Sequence, residues 1–201
     1  MANTEFHMHH DSPEKVGRRE RLGVRILIVA DASFLFAMVF SWFYLRNLNA
    51  NDAWLPKGVK TFGAATSWIA IAPYIVSFLF HRIAMRDKAM RGPLMTLAFA
   101  VLVIGAVYQW HLISHMPFVA QDDNGRPYYN GAYASNWILL AGSNMFHYIL
   151  TGFIALGLAI RGFRGNLLDA VLEDWRQKVA GSWFTWVAIG GVISAITMSF
   201  K

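Results

Sequence analysis

The chain has 201 residues, 56% hydrophobic and 15% charged, with 18 Lys and Arg against 12 Asp and Glu and a formal net charge of +6. Its apolar residues fall into about five long runs of the ~20-residue length that a bilayer core requires, which leaves too little polar chain to cover them in a soluble protein. There is no cysteine, which excludes disulfides, thiolate chemistry and Cys-ligated iron–sulfur clusters.

Residues 1–21, "MANTEFHMHHDSPEKVGRRER", read as a polar tail without the apolar centre of a secretory signal. The run His7, His9 and His10 within it either chelates a metal or is an incidental terminal cluster. Everything after Arg21 reads as one membrane domain, 22–201. Its spans are predicted at about 22–44, 61–80, 93–112, 136–160 and 182–200, so the fold class is an all-α bundle of five transmembrane helices.

The first span carries the one acidic residue that lies outside the tail, the loops and the inner amphipathic segment. Asp31 stands about nine residues past the start of its run, so ~14 Å deep at the helical rise. A carboxylate at that depth costs several kcal/mol if ionised and unpaired, so it is expected to be protonated or hydrogen-bonded. Two roles stay open: a neutral acid tying two helices together, or a direct part in proton or lipid handling.

The link "NLNANDAWLPKGVKTFG" carries Asn, Asp, Pro and Gly turn signals. Pro73 is expected to kink the second span, either to line a cavity or simply through packing. His81 falls at one end of that span, His111 and His115 at the opposite end of the third, and His147 halfway along the fourth. His111 and His115 have metal-compatible spacing without an obvious third ligand, and interfacial hydrogen bonding is the simpler reading of these histidines. In the longest link, Tyr128, Tyr129, Tyr133 and Trp137 look like an interfacial aromatic belt. The segment near 166–179, "GNLLDAVLEDWRQKVAG", spaces Leu168, Val171, Leu172, Trp175 and Val179 helically and is expected to be a short interfacial helix. Ala64, Ala65 and Ser67 in the second span, and Gly181, Gly190, Gly191, Ser194 and Ala195 in or near the fifth, allow helices to approach closely.

The basic residues alternate between the two ends. Lys15, Arg18, Arg19, Arg21, Arg25, Arg82, Arg86, Lys88, Arg91, Arg161, Arg164, Arg176 and Lys178 fall on one side, against Arg46, Lys57, Lys60, Arg126 and Lys201 on the other. By the positive-inside rule the N-terminus is cytoplasmic and the C-terminus is outside. The positive surplus is thus a topology signal and a lipid anchor. It is not a nucleic-acid footprint, for no basic stripe is interleaved with exposed aromatics.

One stretch carries a family likeness. "VADASFLFAMVFSWFYLRNLNANDAWLPKG" resembles the start of subunit III of haem–copper oxidases, in which a Ser-Glu pair leads into an aromatic run, a Tyr-Leu-Arg type end and a Trp-x-Pro-x-Gly loop. The matching positions are Ala30, Asp31, Phe34, Phe36, Tyr44, Arg46, Trp54, Pro56 and Gly58. "VYQW" (107–110) and "LTGF" (150–153) are similar to fragments of the family's later helices, and the layout resembles its five-helix bacterial form. The family's intramembrane Glu is Asp here. Its two histidines after Thr-Gly would fall at Ile154 and Gly157; matching its Phe-His step to Phe146-His147 keeps the first and places Leu150 at the second.

The resemblance implies an accessory subunit of a respiratory terminal oxidase in a bacterial inner membrane, without a redox centre of its own. Haem and copper would reside in partner subunits, the catalytic subunit above all. The chain would stabilise that partner and support proton uptake. It would also hold phospholipid in a cleft between its first two spans and the rest, with Asp31 at the cleft and Trp42, Tyr44, Arg46 and Trp54 near the outer rim. The residues alone leave two alternatives open: a membrane anchor of another electron-transfer complex, with haem between His111 and His147, and a small proton-coupled transporter working through Asp31.

Overall fold

The structure, a computed structural model, describes residues 11–56, 59–121, 124, 127–129, 131–165 and 169–201. The histidine run of the tail and Leu168 of the amphipathic segment lie outside the described residues.

Among the described residues five α-helices make the fold: α1 Pro13–Leu48, α2 Ala64–Ala84, α3 Arg91–Ser114, α4 Ala132–Phe163 and α5 Ala170–Ser199. Each is long and apolar enough to cross a membrane. Between α3 and α4, β1 (Val119–Gln121) pairs antiparallel with β2 (Pro127–Tyr129), Val119 facing Tyr129 in register.

The start and stop of α1 have local causes. The Ser12 hydroxyl accepts from the Lys15 amide, Pro13 occupies the first turn, and Glu14 complements the helix dipole there. Asn49 ends the helix in the left-handed region (φ 31°), its amide donating to Leu45 O at 3.0 Å, and its side chain then accepts from the Trp54 amide at 3.1 Å. The tail is therefore helical from Pro13 onward. At 36 residues α1 is about 54 Å long, well beyond the ~30 Å apolar core of a bilayer.

The helices pack round the bundle in the order α1, α5, α2, α3, α4. The contacts of α5 with α1 and α2, and of α3 with α2 and α4, are extensive, whereas α4 touches α1 and α5 over shorter stretches. Hence α5 is the central rod, with 56% of its most apolar stretch buried against 17% for α1. Small residues make this packing possible. A Cβ on Gly191 would lie 2.9 Å from Tyr74 of α2, and one on Gly162 of α4 would lie 2.5 Å from the Gly92 backbone of α3.

Two expectations are revised by this arrangement. α1 and α2 are not packed together as a separate pair, because α5 lies between them, and the groove present here runs between α1 and the α4–α5 face. The segment expected to be a separate interfacial helix is, from Ala170, the first turns of α5. Trp175 in that segment packs onto Gly17 of α1, where a Cβ would lie 2.4 Å from the indole. Pro73 lies inside α2.

Candidate functional site

Asp31 lies at the midpoint of α1, 18 residues from Pro13 and 17 from Leu48, with its side chain only 13% exposed. Its Oδ2 accepts from Trp186 Nε1 of α5 at 2.6 Å and faces His147 Nε2 of α4 at 2.8 Å. One carboxyl oxygen thus joins three helices. Indole N–H can only donate, so Oδ2 acts as acceptor. The imidazole offers a way to hold an ionised carboxylate in an apolar layer, since an imidazolium–carboxylate pair carries no net charge.

The surroundings are closely packed. A cavity of about 10 Å³, lined by Asp31, Tyr74, Asn144, His147 and Ser194 among others, has room for about one water. Next to it, Tyr74 and Tyr148 stack at 4.2 Å and clamp α2 to α4 reciprocally: Tyr74 O–H donates to Asn144 O, and Tyr148 O–H to Ala70 O. Trp183, whose ring lies 5.8 Å from that of His147, donates to Thr151 Oγ1 at 3.0 Å. A buried, partnered carboxyl with one water-sized space beside it can brace helices or pass a proton. It has no room for a solute.

The residues expected at a lipid-facing rim divide. Trp42 is fully buried, its indole N–H donating to Phe200 O at 3.1 Å, and Trp54 is buried against it with ring centroids 5.2 Å apart. Both belong to an aromatic core at the C-terminal end of α1, not to a rim. Tyr44 is exposed and stacked on Phe40 at 5.6 Å. Arg46 is half-buried, and its Nε donates to Lys201 O at 2.7 Å.

Tyr133 and Trp137 are likewise core residues, 1% and 2% exposed, packed with Phe62 and Phe118 rather than forming a belt. The side chains of Tyr128 and Tyr129 lie outside the described residues. Gly131 closes this end. Its φ of 87° favours glycine, and a Cβ would lie 2.7 Å from Trp54 O, where the Ala132 and Tyr133 amides donate to Ala53 O and Trp54 O.

The histidines do not meet as a ligand set. His147 is engaged by Asp31, while His111 and His115 are exposed on α3 and its cap, rings 4.4 Å apart. His81 is buried at the other end, stacked on Phe184 at 4.9 Å. Among the described residues no three His, Cys, Asp or Glu side chains are grouped to hold a metal.

Sequence reasoning missed His147 and Trp186 as the partners of Asp31. The available signal was that both are hydrogen-bonding residues within spans, His147 near the middle of its span and Trp186 nearer the start of its own. No protein-family model matches the chain, and neither does any curated protein.

Proposed function

We propose that this chain is an accessory, subunit III-like component of a respiratory terminal oxidase in a bacterial inner membrane. Its N-terminus would be cytoplasmic, and haem and copper would be held by partner subunits. The reading is supported by the stretch from Val29 to Gly58, which resembles the start of that family, and one observation carries it. The carboxyl at the family's glutamate position, Asp31, is held at mid-depth by His147 and Trp186.

On this reading Asp31 braces α1 against α4 and α5, and its pairing with a titratable imidazole gives it the means to support proton uptake by the neighbouring catalytic subunit. The water-sized cavity at Asp31 favours this over solute transport. Phospholipid contact falls to Tyr44 and Arg46, the exposed and half-buried members of the expected rim, with Trp42 and Trp54 supporting them from inside.

The test is purification of the tagged chain from its native membrane in a mild detergent. The expected result is co-elution of larger subunits with a haem absorbance band, and loss of that band when the detergent strips the partners away. Recovery of the chain alone from membranes that contain an assembled oxidase would overturn the proposal.

A further inference from the structure

A second cavity, of about 390 Å³, opens at the end of the bundle opposite the aromatic core. Its walls come from the α2–α3 turn, the last turn of α4 and the first turns of α5, and its size falls in the range of small-ligand sites. Three cations, Lys88, Arg91 and Arg161, line it against one carboxylate, Glu173. That carboxylate is already engaged by Arg176 Nη1 at 2.8 Å, with Arg161 Nη1 more distant at 3.9 Å. Asp174 bridges Arg91 at 2.8 Å and Lys88 at 2.9 Å, which positions both cations and leaves the lining with surplus positive charge.

Two buried polar groups in this wall lack partners among the described residues. Arg91, whose side chain is 11% exposed, uses Nη2 on Asp174 while its Nε–H is buried and unpaired. Gln177, 1% exposed, has an unpaired Oε1, and turning the amide over would present its NH₂ group instead. Both of these atoms are enclosed by protein, so it is the cations Lys88, Arg91 and Arg161 lining the cavity that suit an acceptor-rich anion.

We propose that this cavity binds a phosphate group through Arg91, Arg161 and Lys88. Several non-bridging oxygens suit the fork of donors on a guanidinium. The position at the cation-rich end of the helices fits either a phosphodiester of a lipid headgroup or a small soluble phosphate. The site shares no side chain with the Asp31 cluster and does not depend on the oxidase reading.

The test uses the full chain, delipidated in a non-ionic detergent, with thermal unfolding followed against added ligand. The probes are short-chain phosphatidylglycerol, the matching neutral diacylglycerol, and inorganic phosphate balanced by chloride at equal ionic strength. Stabilisation by phosphatidylglycerol alone identifies a headgroup site, and stabilisation by inorganic phosphate as well identifies a site open to soluble phosphates. In either case Arg161→Gln or Lys88→Gln is expected to weaken the effect about tenfold, the loss of one charge-assisted hydrogen bond, while Lys60→Gln at the opposite end leaves it intact. Both variants sit on exposed or half-exposed side chains, whereas Arg91→Gln would remove the buried partner of Asp174 and leave it only the exposed Lys88. No midpoint shift beyond that of chloride and diacylglycerol, or a shift in Arg161→Gln and Lys88→Gln as large as that of the wild type, would refute the site.

Discussion

At the residue scale, Asp31 is a small group with large consequences, because the Trp186 N–H and the His147 imidazole, on different helices, both pair with its one oxygen. Asp31→Ala would leave the Trp186 N–H and the His147 imidazole buried without an acceptor, and an orphaned buried polar group costs about 1–3 kcal/mol. Trp186→Phe removes one donor and leaves the carboxylate its imidazole, so about 1 kcal/mol is expected. The predicted order of unfolding midpoints in detergent is therefore wild type, then Trp186→Phe, then Asp31→Ala. Equal midpoints for wild type and Asp31→Ala would show that this carboxyl ties nothing together. The carboxyl was legible in the sequence because any charge inside a 20-residue apolar run stands out. Its partners were not, because they lie 116 and 155 positions away. Finding them needs the rotation and depth of two further helices, which hydrophobic periodicity alone does not supply. The same gap explains Trp42 and Trp54. An indole near a span end suits a membrane interface or a protein core equally well, and only the fold of the links decides between them.

At the element scale, the helices were visible as apolar runs, but their ends were not. The segment near 166–179 reads as amphipathic and polar enough to lie flat, but from Ala170 it is continuous with α5. Gly181, expected to let helices approach closely, is a contact point inside α5, where His81 lies so close that a Cβ would come within 2.9 Å of the ring. The glycine serves packing and the helix runs through it. Gly105 of α3 behaves in the same way: a Cβ there would meet the Tyr148 ring at 2.2 Å, whereas one on Gly142 would meet nothing within 4 Å. Gly105→Ala should thus destabilise the bundle by about 1–3 kcal/mol through overpacking. Gly142→Ala should be neutral or stabilising by up to about 1 kcal/mol through helix propensity. Chemical or thermal denaturation of the two variants in one detergent checks this contrast. A Gly105→Ala protein as stable as Gly142→Ala would mean that α3 and α4 are not held at the spacing described.

At the scale of the whole molecule, charge is distributed between two unlike ends. One end gathers the α2–α3 turn, the end of α4, the start of α5 and the first turns of α1, joined by Lys88 and Arg91 to Asp174, by Arg161 and Arg176 to Glu173, and by Arg176 to Glu20 at 3.6 Å. The other end is an aromatic core closed by the long links and by the C-terminus, with Phe200 O and Lys201 O accepting from Trp42 and Arg46. The sequence-based grouping of basic links onto one side agrees with this geometry, since alternate links of an up-and-down bundle must share an end. The positive-inside rule proposes which end meets the cytoplasm, and the proposal can be measured because the chain has no native cysteine to interfere. Lys88→Cys, at a side chain 66% exposed, and Lys60→Cys, exposed at the opposite end, each supply one reactive thiol. In intact cells a membrane-impermeant maleimide that reaches the outer face of the membrane holding the chain should, on the proposed topology, label Lys60→Cys and spare Lys88→Cys until the membrane is opened. The reverse pattern would invert the topology and place the proposed phosphate cavity on the outer face. It would also remove the sidedness that proton uptake from the cytoplasm requires.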